Sequence, residues 1–357
     1  MQAVYLPAVE TIRKQGILRE FPKRTETDLY LFLMSHRAEL SKSLGWELHP
    51  AEASADLVTH SSPRLLRAFS RLRKKILFRL RPYTLSAGPP PGQWRKNRPE
   101  PGHQNNLFQS ILVSLSGSSS GWNAFEQALI VAHRENARMR GLHIVSHKPR
   151  QNDEVILAIQ TEFYRRCEPA NVQGEFVLDV GNIARQISRR AHWHDLLAIN
   201  LIHPPADDLA ARMRSGIREL VQTIQTPILT VPAVSDMSRA LLAYDGSPKG
   251  EEALFLAASL VHRWGISLVV STPAPKANRS SEVMARARSY LAARQIDADI
   301  IEDRGPATDA ILHAAQEHHC DLIVMGGYSR KPVAEVVFGS TVDAVLRQYP
   351  HPVFIVR

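Results

Sequence analysis

The chain has 357 residues, 44% hydrophobic and 22% charged, with a formal net charge of +9. That is enough apolar sequence for two or three ordinary globular domains. No run approaches the roughly 18 apolar residues of a membrane span, and the opening MQAVYLPAVETIRK has neither the basic start nor the apolar stretch of a secretory leader. Two cysteines, Cys167 and Cys320, are too few for a disulfide framework and fit a reduced compartment, so the cytoplasm is the expected location.

The charge is unevenly divided. Residues 1–105 hold 18 Lys/Arg against 9 Asp/Glu, while residues 106–357 hold 26 of each. An anionic partner is therefore sought in the N-terminal region.

Taken in chain order, residues 1–86 read as a basic helical region, with helical apolar spacing over 28–44 and 63–80. In the second of these, Leu65, Leu66, Phe69, Leu72, Ile76 and Leu80 make an apolar stripe. Arg64, Arg67, Arg71, Lys74, Lys75 and Arg79 flank it, and no acid occurs between Asp56 and Glu100. A basic amphipathic helix of this kind suits nucleic-acid phosphates, an anionic membrane surface or an acidic protein, or simply a small bundle with a solvated face. Residues 87–105, which include AGPPPGQWRKNRPEPG, are crowded with Pro and Gly and read as a linker.

Beyond it the pattern alternates. Strand-like runs at 110–115, 142–145, 175–180, 196–200 and 227–231 are separated by helical spacing at 122–137, 183–192 and 209–225. The order then repeats: strands at 239–244, 266–270, 298–303, 322–325 and 353–356, with helices at 250–264, 282–294, 308–317 and 340–348. Alternation of this kind predicts an α/β fold of two tandem doubly wound, Rossmann-like parallel-sheet domains, over 106–232 and 237–357, behind a small helical region. The repeat is also visible residue by residue: Ser116-Gly117-Ser118-x-x-Gly121-x-x-Ala124 matches Asp245-Gly246-Ser247-x-x-Gly250-x-x-Ala253, and Thr226-Pro227-Ile228 matches His351-Pro352-Val353.

Ligands of open parallel sheets sit beyond the carboxyl ends of strands where the strand order reverses. The loops to inspect in the second repeat carry Asp245-Gly246-Ser247, then Gly326-Gly327-Tyr328-Ser329-Arg330-Lys331, then Gly339-Ser340-Thr341 at a helix start. A glycine pair after a strand lets amides approach a phosphate without Cβ interference. A helix start offers N–H groups and the positive end of its dipole. Asp245 suits a ribose hydroxyl or an adenine amine, or caps the following helix. Arg330 and Lys331 supply positive charge. The alternative for the glycines is that they are turn residues the fold itself requires.

Here the sequence resembles the universal stress protein family. Its C-terminal signature is Gly, two residues, Gly, nine residues, Gly, then Ser or Thr. Gly326, Ser329, Gly339 and Ser340 fall on those positions, and Asp245-Gly246-Ser247 and Pro352-Val353 match two further family elements. The resemblance covers 237–357 well and 106–232 more weakly. It implies binding of ATP or a related adenine nucleotide, with a divalent ion such as Mg, through Asp245, Gly326, Gly327, Ser329, Gly339, Ser340 and Thr341. Ser329 departs from the motif: where that loop needs positive φ a serine costs about 1–2 kcal/mol, and its hydroxyl is otherwise an added donor. The resemblance also implies pairing through the last strands, between the two repeats or as a homodimer.

In the first repeat the equivalents are Ser116 for Asp245, Asn200 for Gly326 and Arg214-Ser215-Gly216 for Gly-Ser-Thr, with Pro204 and Pro205 in the phosphate-loop position. This repeat reads as a degenerate structural partner. His192, His194, His318, His319 and Cys320 have no spacing that closes a metal site. Neither a Walker A sequence nor Gly-x-Gly-x-x-Gly occurs, and no catalytic triad or carboxylate pair stands out. The expectation is a stress-response regulator that binds a nucleotide and is not an enzyme, or a nucleotide-independent scaffold acting through its basic N-terminal region.

Overall fold

A computed structural model describes residues 33–38, 92, 94, 106–145, 153–201, 216–272, 277–302, 305–328 and 340–357. Of the N-terminal region, only the helical stretch 33–38 is among them, and the basic helix expected over 63–80 lies outside the described residues.

Ten strands form one sheet. The first repeat supplies β1 (Ser110–Ser114), β2 (Arg138–Val145), β3 (Gly174–Val180), β4 (Leu196–Asn200) and β5 (Ile228–Val231). The second supplies β6 (Arg239–Ala243), β7 (Ser267–Ser271), β8 (Asp299–Ile301), β9 (Leu322–Gly326) and β10 (Val353–Val356). Their order is β3-β2-β1-β4-β5-β10-β9-β6-β7-β8. Each half is parallel and reverses direction of winding once, between β1 and β4 and between β6 and β9. The halves meet where β5 and β10 run antiparallel, with Phe354 opposite Leu229. Those two residues are equivalent in the repeat, so a pseudo-two-fold axis passes between them. The expected pairing of the last strands is thus met within one chain.

Both faces of the sheet are covered, as near-continuous apolar strands require. One face packs α1 (Trp122–Glu135), α2 (Glu154–Cys167), α5 (Pro248–Trp264) and α6 (Ala277–Ala292); the other packs α3 (Ile183–Ala191), α4 (Gly216–Thr223), α7 (Ala307–Glu317) and α8 (Thr341–Gln348). Alternation along the strands assigns side chains to faces. Leu322 and Val324 belong to the first core, Ile323 and Met325 to the second.

Helix α2 was not anticipated between the second and third strands. Its buried residues Ile159, Phe163 and Cys167 recur every fourth position, but Val155, Leu157 and Tyr164 are exposed and blur the stripe. Local signals specify it nonetheless: Asp153 caps it by accepting from Val155 N at 3.2 Å, and Glu162 accepts from both Arg165 and Arg166. Strand β2 also starts earlier than its apolar run, because Met139 points inward while Arg140 is bonded to Glu175 across β3.

The interface between repeats is polar as well as apolar. Glu135, fully buried at the end of α1, accepts from Leu107 N at 2.7 Å, from Arg263 Nε at 3.0 and 3.1 Å, and from Trp264 Nε1 at 2.6 Å. Glu135 and Trp264 are themselves equivalent positions of the repeat. Trp94, from the Pro/Gly-rich stretch, is buried edge-on against Phe255 of α5, at 5.7 Å between centroids, and Gly92 N donates to Arg357 O at 3.1 Å. The stretch expected to be a plain linker is therefore pinned to the second repeat at these two residues.

Two buried histidines give the fold a pH dependence. Burial lowers the pKa of His143 and of His194 from 6.5. The folded state then binds fewer protons than the unfolded chain, so this part of the stability is present above pH 6.5 and is lost as pH falls below it. A urea midpoint at pH 5.5 should lie below that at pH 7.5; equal midpoints would contradict the assignment.

Candidate functional site

At the carboxyl end of β6, Tyr244 is buried and donates its hydroxyl to Glu251 at 2.5 Å, which fixes the strand's exit against α5. Asp245 follows, exposed, with Oδ1 accepting from Ser247 N at 2.9 Å. Gly246 has φ +69, a conformation that favours glycine, and a Cβ there would also lie 2.9 Å from Val283 Cγ2 and 2.8 Å from Arg286 Nη2. The helix cap is Ser247, whose Oγ accepts from Gly250 N at 3.1 Å with Pro248 at the next position. The capping role considered for Asp245 thus belongs to Ser247, and the Asp245 carboxylate keeps an outward-facing acceptor. Ser247→Ala should cost about 1 kcal/mol of stability in chemical denaturation; an unchanged midpoint would show the cap to be redundant.

At the end of the neighbouring strand β9, a Cβ on Gly326 would stand 3.0 Å from the Lys249 backbone, so this glycine seats the strand end on the first turn of α5. Gly327 lies close to Val221 of α4, at 3.2 Å from where its Cβ would be, so the first repeat walls this side of the site. Its amide donates to Val356 O at 2.7 Å. The expectation that the Gly327 N–H meets a phosphate is therefore not supported by its bonding. Packing alone accounts for both glycines.

The start of α8 closes the third side. Ser340, buried, caps the helix by accepting from Val342 N at 3.1 Å and Asp343 N at 3.4 Å. Two amides at the helix start are thereby committed, and Thr341 beside them is half-buried. Tyr328, buried beneath, donates its hydroxyl to Asp343 in the first turn of α8. That bond brings α8 over the β9 loop, and the Asp343 carboxylate balances part of the helix dipole. Asp343 is 1% exposed and so is closed to a cation from solvent. Tyr328 and Asp343 were missed from sequence, although Ser340-x-x-Asp343 has capping-box spacing. Ser329, Arg330, Lys331 and Gly339 lie outside the described residues.

Asp245, Gly326, Gly327, Ser340 and Thr341 thus converge at the carboxyl edge where the second repeat reverses its strand order. A groove of about 540 Å³ opens between α5 and α6, lined by Glu251, Glu282, Ala285, Arg286, Ser289 and Tyr290. Arg286 joins it to the loop, lying next to Gly246 and 3.5 Å from Glu251.

The equivalent edge of the first repeat is filled by its own side chains. Ser116 and Ser118 bond to each other at 2.8 Å, and a Cβ on Gly121 would sit 2.1 Å from Ser116 Oγ. Asn200, 4% exposed, donates its side-chain amide to Val231 O at 3.0 Å, the same carbonyl that Leu201 N reaches at 3.2 Å. Cys320 is buried and its thiol is pushed up to about 11, which makes it an inert core residue.

Comparison with known proteins follows this division. The sequence model of the universal stress protein family matches residues 237–357. A universal stress protein of Thermus aquaticus is 32% identical over 134 residues, which cover 33% of this chain and 96% of that protein. A universal stress protein of Synechocystis is 27% identical over 153 residues, 40% of this chain and 51% of the relative, so the match spans about half of that relative's length. Among solved structures, a universal stress protein from Archaeoglobus fulgidus aligns with TM-score 0.58 and 17% identity over 71% of this chain and 97% of its own, a likeness of fold.

Proposed function

This chain belongs to the universal stress protein family, and from that premise we propose that its C-terminal repeat binds an adenine nucleotide, ATP with its divalent ion, as a regulatory ligand. The observation that carries the reading is the convergence of three elements at one sheet edge: the outward Asp245 carboxylate, the close-packed Gly326–Gly327 strand end, and the Ser340–Thr341 helix start. Asp245 accepts from the nucleoside, the groove flanked by Arg286 and Tyr290 receives its planar part, and Thr341 with the Ser340 hydroxyl faces the phosphates. The buried Asp343 offers no open ligand position, so the divalent ion arrives on the nucleotide's own phosphates. In this reading the ligand is held as a regulator and not turned over. The first repeat acts as the fixed partner that walls the site through Val221.

Thermal denaturation tests this. MgATP at about a hundred times its Kd adds about 2.7 kcal/mol of stability, which raises the melting temperature, and Asp245→Ala reduces that rise. No shift at millimolar MgATP would refute nucleotide binding. It would favour the competing reading, a nucleotide-independent scaffold, which draws on the committed Gly327 amide and the self-capped start of α8.

A further inference from the structure

Away from the proposed nucleotide site, the first repeat presents a row of exposed side chains. Residues 181–194, GNIARQISRRAHWH, contain three arginines, two histidines and no acid. Helix α3 buries Ile183, Ala184, Ile187 and Ala191, which turns Arg185 and Arg189 to solvent on its opposite face. Arg185 and Arg189 stand about 6 Å apart along the helix, and Trp193 follows four residues on, in the turn just past the helix end. Trp193 is 77% exposed, the most exposed large hydrophobic side chain among the described residues.

The turn that carries this indole is built firmly. Trp193 N donates to Arg190 O at 3.0 Å and His194 N to Ala191 O at 3.1 Å. His194 Nδ1 lies 2.8 Å from Arg190 O, and buried Thr226 donates its hydroxyl to Ala191 O and His194 O, each at 3.0 Å. His192 packs edge-on against the indole at 5.4 Å. An ordered turn thus holds an aromatic face in water, where burial would otherwise favour hiding it.

Most of the acids nearest it are engaged by the fold. Asp179 is bound by Arg190 through two hydrogen bonds, 2.9 and 2.6 Å, and lies 3.6 Å from Arg189. Asp195 accepts from the Gln109 and Ser110 amides, and Glu175 is taken by Arg140. Among the described residues, Glu219 on the adjoining α4 is a further exposed carboxylate. Arg185 and Arg189, 65% exposed at Arg189, therefore set two solvent-facing guanidinium groups in a row that ends in a stacking surface.

We propose that Arg185, Arg189 and Trp193 form a docking row for single-stranded nucleic acid, in which the guanidinium groups meet backbone phosphates and an unpaired base stacks on the indole. A positive track with an aromatic platform is the arrangement that holds single strands without reading sequence. A duplex keeps its bases stacked on each other and cannot use the indole. One aromatic side chain at the end of a pair of arginines also provides no apolar groove for a protein helix.

Fluorescence anisotropy of labelled thymidine and uridine 12-mers with the full chain tests the row, because the basic N-terminal region is common to every variant. Wild type should bind both single strands, more weakly as salt rises. Trp193→Ala should weaken binding about tenfold, and Trp193→Phe, which keeps a stacking face, should recover most of the loss. Arg185→Gln with Arg189→Gln should weaken binding and flatten the salt dependence by about two phosphate contacts. These residues are exposed, so circular dichroism should match wild type for all variants. Absence of binding at low salt would overturn the proposal. So would Trp193→Ala binding as wild type, or duplex of equal length binding as tightly as single strand.

Discussion

Replacing Glu135 by Ala should lower the stability of the two-repeat unit by about 3–5 kcal/mol, the cost of leaving a buried ionic partner without its counterpart. The carboxylate is fully buried between α1 and α5 and serves three donors at once: the Leu107 amide, the Arg263 guanidinium and the Trp264 indole. The Arg263 side chain is 15% exposed, so water replaces little of what the substitution removes. For a unit of this size the loss corresponds to a fall in melting temperature on the order of 10 °C. Glu135→Gln should cost less, since an amide oxygen still accepts from Trp264. Equal effects of the two variants would place the importance of the site in packing and not in charge.

The second large effect is expected at Phe354. It is fully buried on the pseudo-two-fold axis, opposite Leu229 in the β5–β10 pair, stacked on Phe108 at 6.0 Å and 15°, and 6.3 Å from Trp264. Phe354→Ala removes a ring from the seam where both repeats contribute, so the cavity cannot close by movement of one repeat alone. A loss of about 3–5 kcal/mol is expected, read as a lower urea midpoint. A loss under about 1 kcal/mol would mean that the repeats are stable without this seam.

Much of this architecture was legible in the sequence. Strand runs such as 322–325 and 353–356 are apolar on both faces and short, and the repeat of Asp245-Gly246-Ser247 as Ser116-Gly117-Ser118 marked the tandem order. Helix α2 escaped because three exposed apolar side chains hid a stripe only three residues long. The seam was half legible. Matching Thr226-Pro227 and His351-Pro352 pointed to strand pairing, but Glu135 meeting Trp264 depends on two helices that come together only after the sheet forms. Trp94 was hidden by its neighbours, since Pro and Gly announce a loop and say nothing of where one indole is buried.

The candidate site was legible as positions more than as chemistry. Asp245, Gly326, Ser340 and Thr341 do assemble at one edge. What spacing does not reveal is which polar groups are already spent. Gly327 N is used by the sheet, and the Val342 and Asp343 amides by Ser340. Tyr328 was read as a residue between motif positions, whereas its hydroxyl ties the β9 loop to α8. Consecutive hydrogen-bond donors in a sequence are therefore an upper bound on what a ligand finds.

The proposed function requires one open site per chain, in the second repeat, because the equivalent edge of the first is filled by Ser116, Ser118 and Asn200. Native mass spectrometry of the full chain, cleared of small molecules and then given MgATP, measures this directly. A single nucleotide per chain, lost in Asp245→Ala, is the predicted result; no adduct, or two per chain, would contradict it.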